Sequence, residues 1–376
     1  MNDGISTITF RTVVVPLDSA TGFSTRSLTE RCYLIVEVHA AGHVGYGYCY
    51  AGHSGIEALA AVGESALGPL LIGQDPLDTT RLWYEMRANA LLHGRDGLTM
   101  RVISALDIAL WDLKGKLLGV SLNKLVGGLR QKAPAYASGG YYAPTSTPDE
   151  VRREVAGYRE AGFTAAKIKV GRDSPELDSQ RIAAARGELE TTAPLMLDAN
   201  NAWTTVAEAE RAVIQWEHHD PYWIEEPFGP DDLESHRRLA QRIGIPVATG
   251  ELQAGTERFF EIMARGEIPI IQPDAAVAGG ITGFLRILPI AEATGTSVCP
   301  HWFHELHAQL AAASKAITWI ECFPDGSVFN FARLLARKLP VRDGWLELDD
   351  TPGNGVIFDD GIVLDYQRAQ STVGAA

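Results

Sequence analysis

Apolar and polar positions change their rhythm twice along this chain. In residues 8–15, 32–38 and 44–50, runs rich in Val, Ile, Tyr and Thr are bounded by Gly and polar turns. That pattern predicts a short antiparallel sheet. In residues 55–71, 76–92 and 99–118 the spacing becomes helical, and in the last stretch Ile103, Leu106, Ala109, Leu110, Leu113 and Leu117 share one face. Strands followed by helices make an α+β unit over residues 1–130.

Further on, short apolar runs alternate with amphipathic stretches. Strands are predicted at 135–138, 165–170, 195–198, 222–225, 246–248, 268–271, 297–299 and 317–320, with helices between them, such as 149–161, 206–216 and 281–293. Eight such strands describe a parallel α/β barrel over residues 131–342. No regular helix is expected after the eighth before the chain leaves through Pro324, so the barrel is of the (β/α)7β kind. The tail, 343–376, has turn signals at Pro352-Gly353 and Asp360-Gly361 and reads as strands returning to the N-terminal sheet.

Composition narrows the function. A chain of 376 residues with 46% hydrophobic and 21% charged residues is an ordinary globular protein. Its 33 Lys and Arg against 47 Asp and Glu give a net charge of −14. That argues against nucleic acid or an anionic membrane as partner. The four cysteines form no CxxC pair, no basic segment precedes a long apolar stretch at the N-terminus, and no run approaches a bilayer's width. The expectation is a soluble, cytoplasmic protein.

In a barrel of this type, functional groups gather where the strands end. The polar residues closing successive runs are Lys169, Asp198, Glu225, Glu251, Asp274, His301 and Glu321, spaced 20 to 29 residues apart. Each interval is about one strand-helix unit, so the seven groups should converge. One Asp after an apolar run is usually a helix cap. Three carboxylates in register, Asp198, Glu225 and Glu251, would repel one another unless a cation neutralised them. An all-oxygen donor set favours a hard divalent ion, Mg²⁺ before Zn²⁺. Strand alternation sends Lys167 and Lys169 into the barrel mouth, where a lysine beside a cation and another lysine has reason to titrate low and act as a base. Asp274, one unit before His301, is placed to fix the imidazole tautomer.

Lys167-Ile168-Lys169, Asp198-Ala199-Asn200, Trp223-Ile224-Glu225-Glu226-Pro227, Gly250-Glu251, Pro273-Asp274, Pro300-His301 and Trp319-Ile320-Glu321 together resemble the mandelate racemase branch of the enolase superfamily. The resemblance covers nearly the whole chain and implies an N-terminal capping domain over the barrel. It implies one Mg²⁺ per subunit, replaceable by Mn²⁺, on Asp198, Glu225 and Glu251, with Glu226 in a supporting role. It further implies Lys169 and the His301–Asp274 pair as bases on opposite faces of a substrate. Lys167 and a protonated Glu321 would hold its carboxylate, with Asn200 near the metal and Ser138 a further substrate contact. Relatives of this kind commonly form homo-oligomers.

Three functions are open at this point. With both bases working on one α-proton the protein is an α-hydroxy-acid racemase. With one removing the α-proton and the other assisting departure of a β-hydroxyl, it is an acid-sugar dehydratase. A non-catalytic metal- or carboxylate-binding barrel would need neither base. Cycloisomerases are disfavoured, because such branches place a Lys where Asp274 stands. Arg26, His53, His304 and Tyr142 favour a polar substrate and hence the dehydratase, whereas Trp302 and Phe303 favour an apolar one.

Overall fold

The strands β1 (Thr7–Gly22), β2 (Ser27–Ala40) and β3 (His43–Tyr50) open the computed structural model, which describes residues 4–142, 147–324, 328–348 and 350–374. Their sheet is antiparallel in the order β14-β1-β2-β3, where β14 (Gln367–Gly374) comes from the far end of the chain. Four helices follow: α1 (Ile56–Val62), α2 (Thr79–Asn89), α3 (Gly97–Leu118) and α4 (Leu122–Leu125). The helix expected over 55–71 ends early in wider and tighter turns at Gly63 and Gly68, where the Phe10 ring occupies the space a Cβ would need. α3 lies flush on β3 because Gly45 and Gly47, on the same face of that strand, leave its backbone bare. A Cβ at Gly47 would sit 1.9 Å from the Ala105 carbonyl oxygen.

The barrel strands are β4 (Lys132–Gly139), β5 (Ala166–Lys169), β6 (Leu195–Asp198), β7 (Ile224–Glu225), β8 (Val247–Thr249), β9 (Ile270–Ile271), β10 (Ser297–Val298) and β11 (Ile320–Cys322). Each pairs in parallel with the next as far as β10, and β11 returns to β4, with a Val298–Ile317 bridge spanning the remaining gap. Because Ile317 makes that bridge, the eighth strand begins three residues later than the apolar run suggests, and Glu321 lies inside it. The helices between are α5 (Pro148–Glu160), α6 (Pro175–Glu188), α7 (Val206–Ile214), α8 (Leu233–Ala240), α9 (Thr256–Met263), the pair α10 (Ala275–Ala278) and α11 (Gly280–Thr294), and α12 (His304–Leu310). Local chemistry starts several of them. Thr205 and Glu208, for example, cap each other's backbone N–H at the head of α7.

The tail does not go straight to the N-terminal sheet. β12 (Val341–Arg342) and β13 (Trp345–Glu347) first form a hairpin against the base of β4, and α13 (Asp360–Tyr366) then leads into β14. A polar clasp joins the N-terminal helices to the barrel. Asp107 on α3 accepts from the Thr282 N–H (2.8 Å) and hydroxyl (2.7 Å) at the start of α11, and Trp83 Nε1 donates to the Gly279 carbonyl at 2.7 Å. Among the described residues no helix is long and apolar enough to cross a membrane.

Candidate active site

Interior positions alternate with helix-facing ones along each barrel strand. The lower interior layer is an apolar plug of Tyr136, Ala165, Met196, Trp223, Ala248, Ile270 and Cys299, with Trp319 against it. Two residues further along the same strands stand Ser138, Lys167, Asp198, Glu225, Gln272, His301 and Glu321. Polar groups are thus held over a dry floor, where electrostatic interactions are strong. Register completes the assembly. Lys169 lies beside Asp198, and Asp198 beside Glu225, on adjacent parallel strands.

One carboxylate oxygen from each of Asp198, Glu225 and Glu251 lies within 4.8 Å of the other two, and all three side chains are buried. Three anionic oxygens without sulfur or nitrogen donors suit Mg²⁺ or Mn²⁺. Lys167 Nζ sits 2.6 Å from Glu225, 2.6 Å from Glu321 and 3.4 Å from Asp198, and Lys169 Nζ donates to Asp198. Burial alone would lower the Lys167 pKa, but Glu225 and Glu321 outweigh it and hold the ammonium well above the usual lysine range. At Glu321 burial favours the protonated form, yet Lys167 more than offsets this and brings the carboxyl down to about 2. Its second oxygen accepts from the Trp302 N–H at 3.0 Å. Burial, reinforced by Asp198, pushes Glu225 up, and burial with Glu251 brings Glu226 to about 8.

On the other side, His301 Nδ1 is 3.0 Å from Asp274 Oδ2, which leaves Nε2 directed to the cavity, 3.5 Å from Glu251. Burial opposes the charged imidazole, but Glu251 and the Asp274 hydrogen bond raise its pKa overall. A residue the sequence reading missed, His307, braces this pair. Its Nδ1 donates to the Trp302 carbonyl at 2.6 Å, and its Nε2 accepts from the Ala275 N–H at 3.1 Å. The loops carrying Asp274 and His301 are thereby tied together.

A cavity of about 340 Å³ opens above these groups. Its wall includes Lys169, Asn200, Glu251, His301 and Glu321 from the barrel, with Phe23, Arg26, Arg31, Tyr50, His53 and Arg101 from the N-terminal elements. Arg26 and His53 therefore both line the cavity. Lys167, Asp198, Glu225, Asp274 and Ser138 are buried behind that wall. The Ser138 hydroxyl lies in the interior layer next to Lys167 without a hydrogen-bond partner. His304 and Tyr142 do not line the cavity. His304 pairs with Glu305 at 3.1 Å, and the Tyr142 hydroxyl donates to Asp178 at 3.0 Å. Phe303 packs away from it against Tyr48 and Phe331, whereas Trp302 does line it. Arg31, Tyr141 and Arg101 are contributors the sequence reading passed over. A charged residue leading an otherwise apolar strand, Arg31 before 32–36, is the signal that could have found the first.

Five residues at these strand ends have positive φ without being glycine: Asn200, Asn201, Glu226, Trp302 and Phe303. Such backbone is costly and persists where surrounding contacts enforce it. Here Asn201 Nδ2 donates to Glu226 at 2.8 Å and to the Phe228 carbonyl at 2.9 Å.

Residues 150–362 match the family described as Enolase C-terminal domain-like, and residues 5–127 match Mandelate racemase / muconate lactonizing enzyme, N-terminal domain. Over 352 residues the chain is 32% identical to an L-talarate/galactarate dehydratase of Salmonella typhimurium, covering 93% of this chain and 86% of that protein. A 3,6-anhydro-alpha-L-galactonate cycloisomerase of Streptomyces coelicolor is 34% identical, covering 85% and 86%. Among solved structures, an L-talarate dehydratase from Polaromonas sp., complexed with Mg and L-glucarate, superposes with a TM-score of 0.91 at 32% identity and full coverage of both chains.

Proposed function

This chain belongs to the enolase superfamily, in its mandelate racemase / muconate lactonizing enzyme family, and on that premise we propose that it is an Mg²⁺-dependent acid-sugar dehydratase. The observation that carries its proton-transfer chemistry is the placement of Lys169 and the His301–Asp274 pair on different walls of one cavity beside three buried carboxylates.

Asp198, Glu225 and Glu251 would hold the Mg²⁺, which supplies a fixed positive charge for the substrate carboxylate as its α-proton leaves. Lys167 and Glu321 sit where that carboxylate would bind; the Lys167 ammonium would donate to it, sharing its proton with Glu321, as the second negative charge develops. One of Lys169 and His301 removes the proton on C2, and the electron pair moves into an ene-diolate. Collapse of that intermediate forms the C2–C3 double bond and breaks the C3–O bond. The other group donates a proton to the departing hydroxyl, so water leaves and the enol tautomerises to a 2-keto-3-deoxy acid. Asp274 keeps the His301 Nε2 available for the transfer.

The barrel-end residues serve dehydration and racemisation alike, and the far end of the cavity favours dehydration. Arginines and a histidine there suit a polyhydroxylated acid better than an apolar hydroxy acid. Incubation with Mg²⁺ and a library of aldonic and aldaric acids, read by a 2-keto acid assay, tests this. Keto acid from at least one acid supports it. Deuterium uptake at the α-carbon with no keto product would instead make the protein a racemase. Isomerised lactone would make it a cycloisomerase, and tight binding without exchange a non-catalytic barrel.

A further inference from the structure

We propose that Arg31 receives a second carboxylate at the far end of the substrate, so that the substrate class is the aldaric diacids rather than the aldonic monoacids. This rests on the acid-sugar reading above. Arg31 stands at the cavity wall, is 4% exposed, and has no carboxylate partner among the described residues. Its Nε donates to the Val328 carbonyl at 2.9 Å, while one terminal nitrogen is buried without any hydrogen-bond partner. The guanidinium packs on two rings, 3.9 Å from the Phe329 centre and 5.2 Å from that of Trp302. A buried cation with an idle donor is expensive unless an anion meets it, and a planar guanidinium fits a carboxylate in two-point contact.

The surroundings point the same way. Arg26 and Arg101 line the same cavity, and the acids in its wall, Glu251 and Glu321, belong to the metal and dyad end. The Tyr141 hydroxyl, also at the wall, is buried and unpartnered, a ready donor for a substrate hydroxyl. Size agrees as well. The Arg31 guanidinium and Lys169 Nζ each lie 5.7 Å from the Phe23 ring centre, so they are at most twice that apart. A six-carbon diacid, with C–C bonds of about 1.5 Å and hydrogen-bond contacts of about 3 Å at its ends, covers that reach.

Matched pairs that differ only at C6 test the assignment: galactarate with galactonate, glucarate with gluconate, and mannarate with mannonate. Binding is followed by tryptophan fluorescence on Mg²⁺-loaded protein carrying Lys169→Ala, and turnover by keto acid formation in the wild-type protein. At least one diacid should bind roughly 10- to 100-fold tighter than its monoacid. Arg31→Met should remove that preference, weakening diacid binding more than monoacid binding, and Arg31→Lys should restore part of it. Equal affinities within every pair, or no diacid binding at all, would overturn the assignment. So would a preference that survives Arg31→Met in protein with an unchanged melting curve. If diacids bind through Arg31 but no keto acid forms, the assignment stands and the dehydratase reading fails; if monoacids are dehydrated as well as diacids, the reverse holds.

Discussion

Replacing Asp107 by alanine removes the acceptor that holds the head of α11 against α3, and the size of the effect should depend on pH. Asp107 is fully buried, and it accepts from both the Thr282 N–H and hydroxyl. Burial raises its pKa from 3.8 to about 7 against the opposing pull of those hydrogen bonds. A carboxyl whose folded pKa lies above its unfolded one stabilises the fold fully below the unfolded value. That contribution is lost as pH rises towards the folded value, and a gap this wide corresponds to about 4 kcal/mol. In the alanine variant two donors remain buried and unpaired, a cost of about 2–5 kcal/mol. At pH 4.5 the variant should therefore be less stable by that amount. By pH 8 the deficit should shrink by about 3 kcal/mol, leaving the two proteins much closer in stability. Urea denaturation across this range, in EDTA so that bound metal does not differ, measures both curves. If they run parallel, the hydrogen bonds from Thr282 keep Asp107 ionised throughout and the reasoning is wrong.

Other expectations concern the site and the packing beneath it. Lys169→Ala and His301→Ala should each leave Mg²⁺ affinity, measured by calorimetry, close to wild type while reducing α-proton exchange in D₂O by about 10³-fold or more. Asp274→Asn keeps the shape of the dyad but no longer favours the reactive tautomer, so kcat should fall by about 10²- to 10⁴-fold with little change in melting temperature. Gly47→Ala places a methyl group against the Ala105 carbonyl; forcing β3 off α3 should cost about 3 kcal/mol, visible as a lowered urea midpoint. Unchanged stability there would mean that sheet and helix separate easily.

The barrel was legible because five of its strands carry one signature, an apolar interior residue followed two positions later by an ionisable one, as in Met196 then Asp198, Trp223 then Glu225, and Cys299 then His301. The same period extends to Ile270 and Gln272, which was overlooked because a neutral amide draws no attention in a sequence. Its Nε2 nonetheless donates to Glu225. What the pattern could not supply was the far wall of the cavity. Tyr141 and Tyr142 are neighbours with equal claims, and only the turn after Gly139-Gly140 sends one to the cavity and the other to Asp178. Arg31 and Arg101 come from a strand and a helix some 70 residues apart, so no local motif joins them. His307 became visible only when two loops were seen to meet on it.

The strained backbone at the strand ends bears on how this protein could be improved. Positive φ at Glu226, Trp302 and Phe303 costs on the order of 1–3 kcal/mol at each residue, and glycine would release much of that. A screen that rewards heat resistance alone would therefore be drawn to these positions. Substituting Trp302 would strip an aromatic wall from the cavity, and substituting Glu226 would release Asn201, so the sturdier proteins it returned would be the idle ones. Directed evolution of this scaffold needs to select for turnover and robustness together, because here the two are in conflict within single residues.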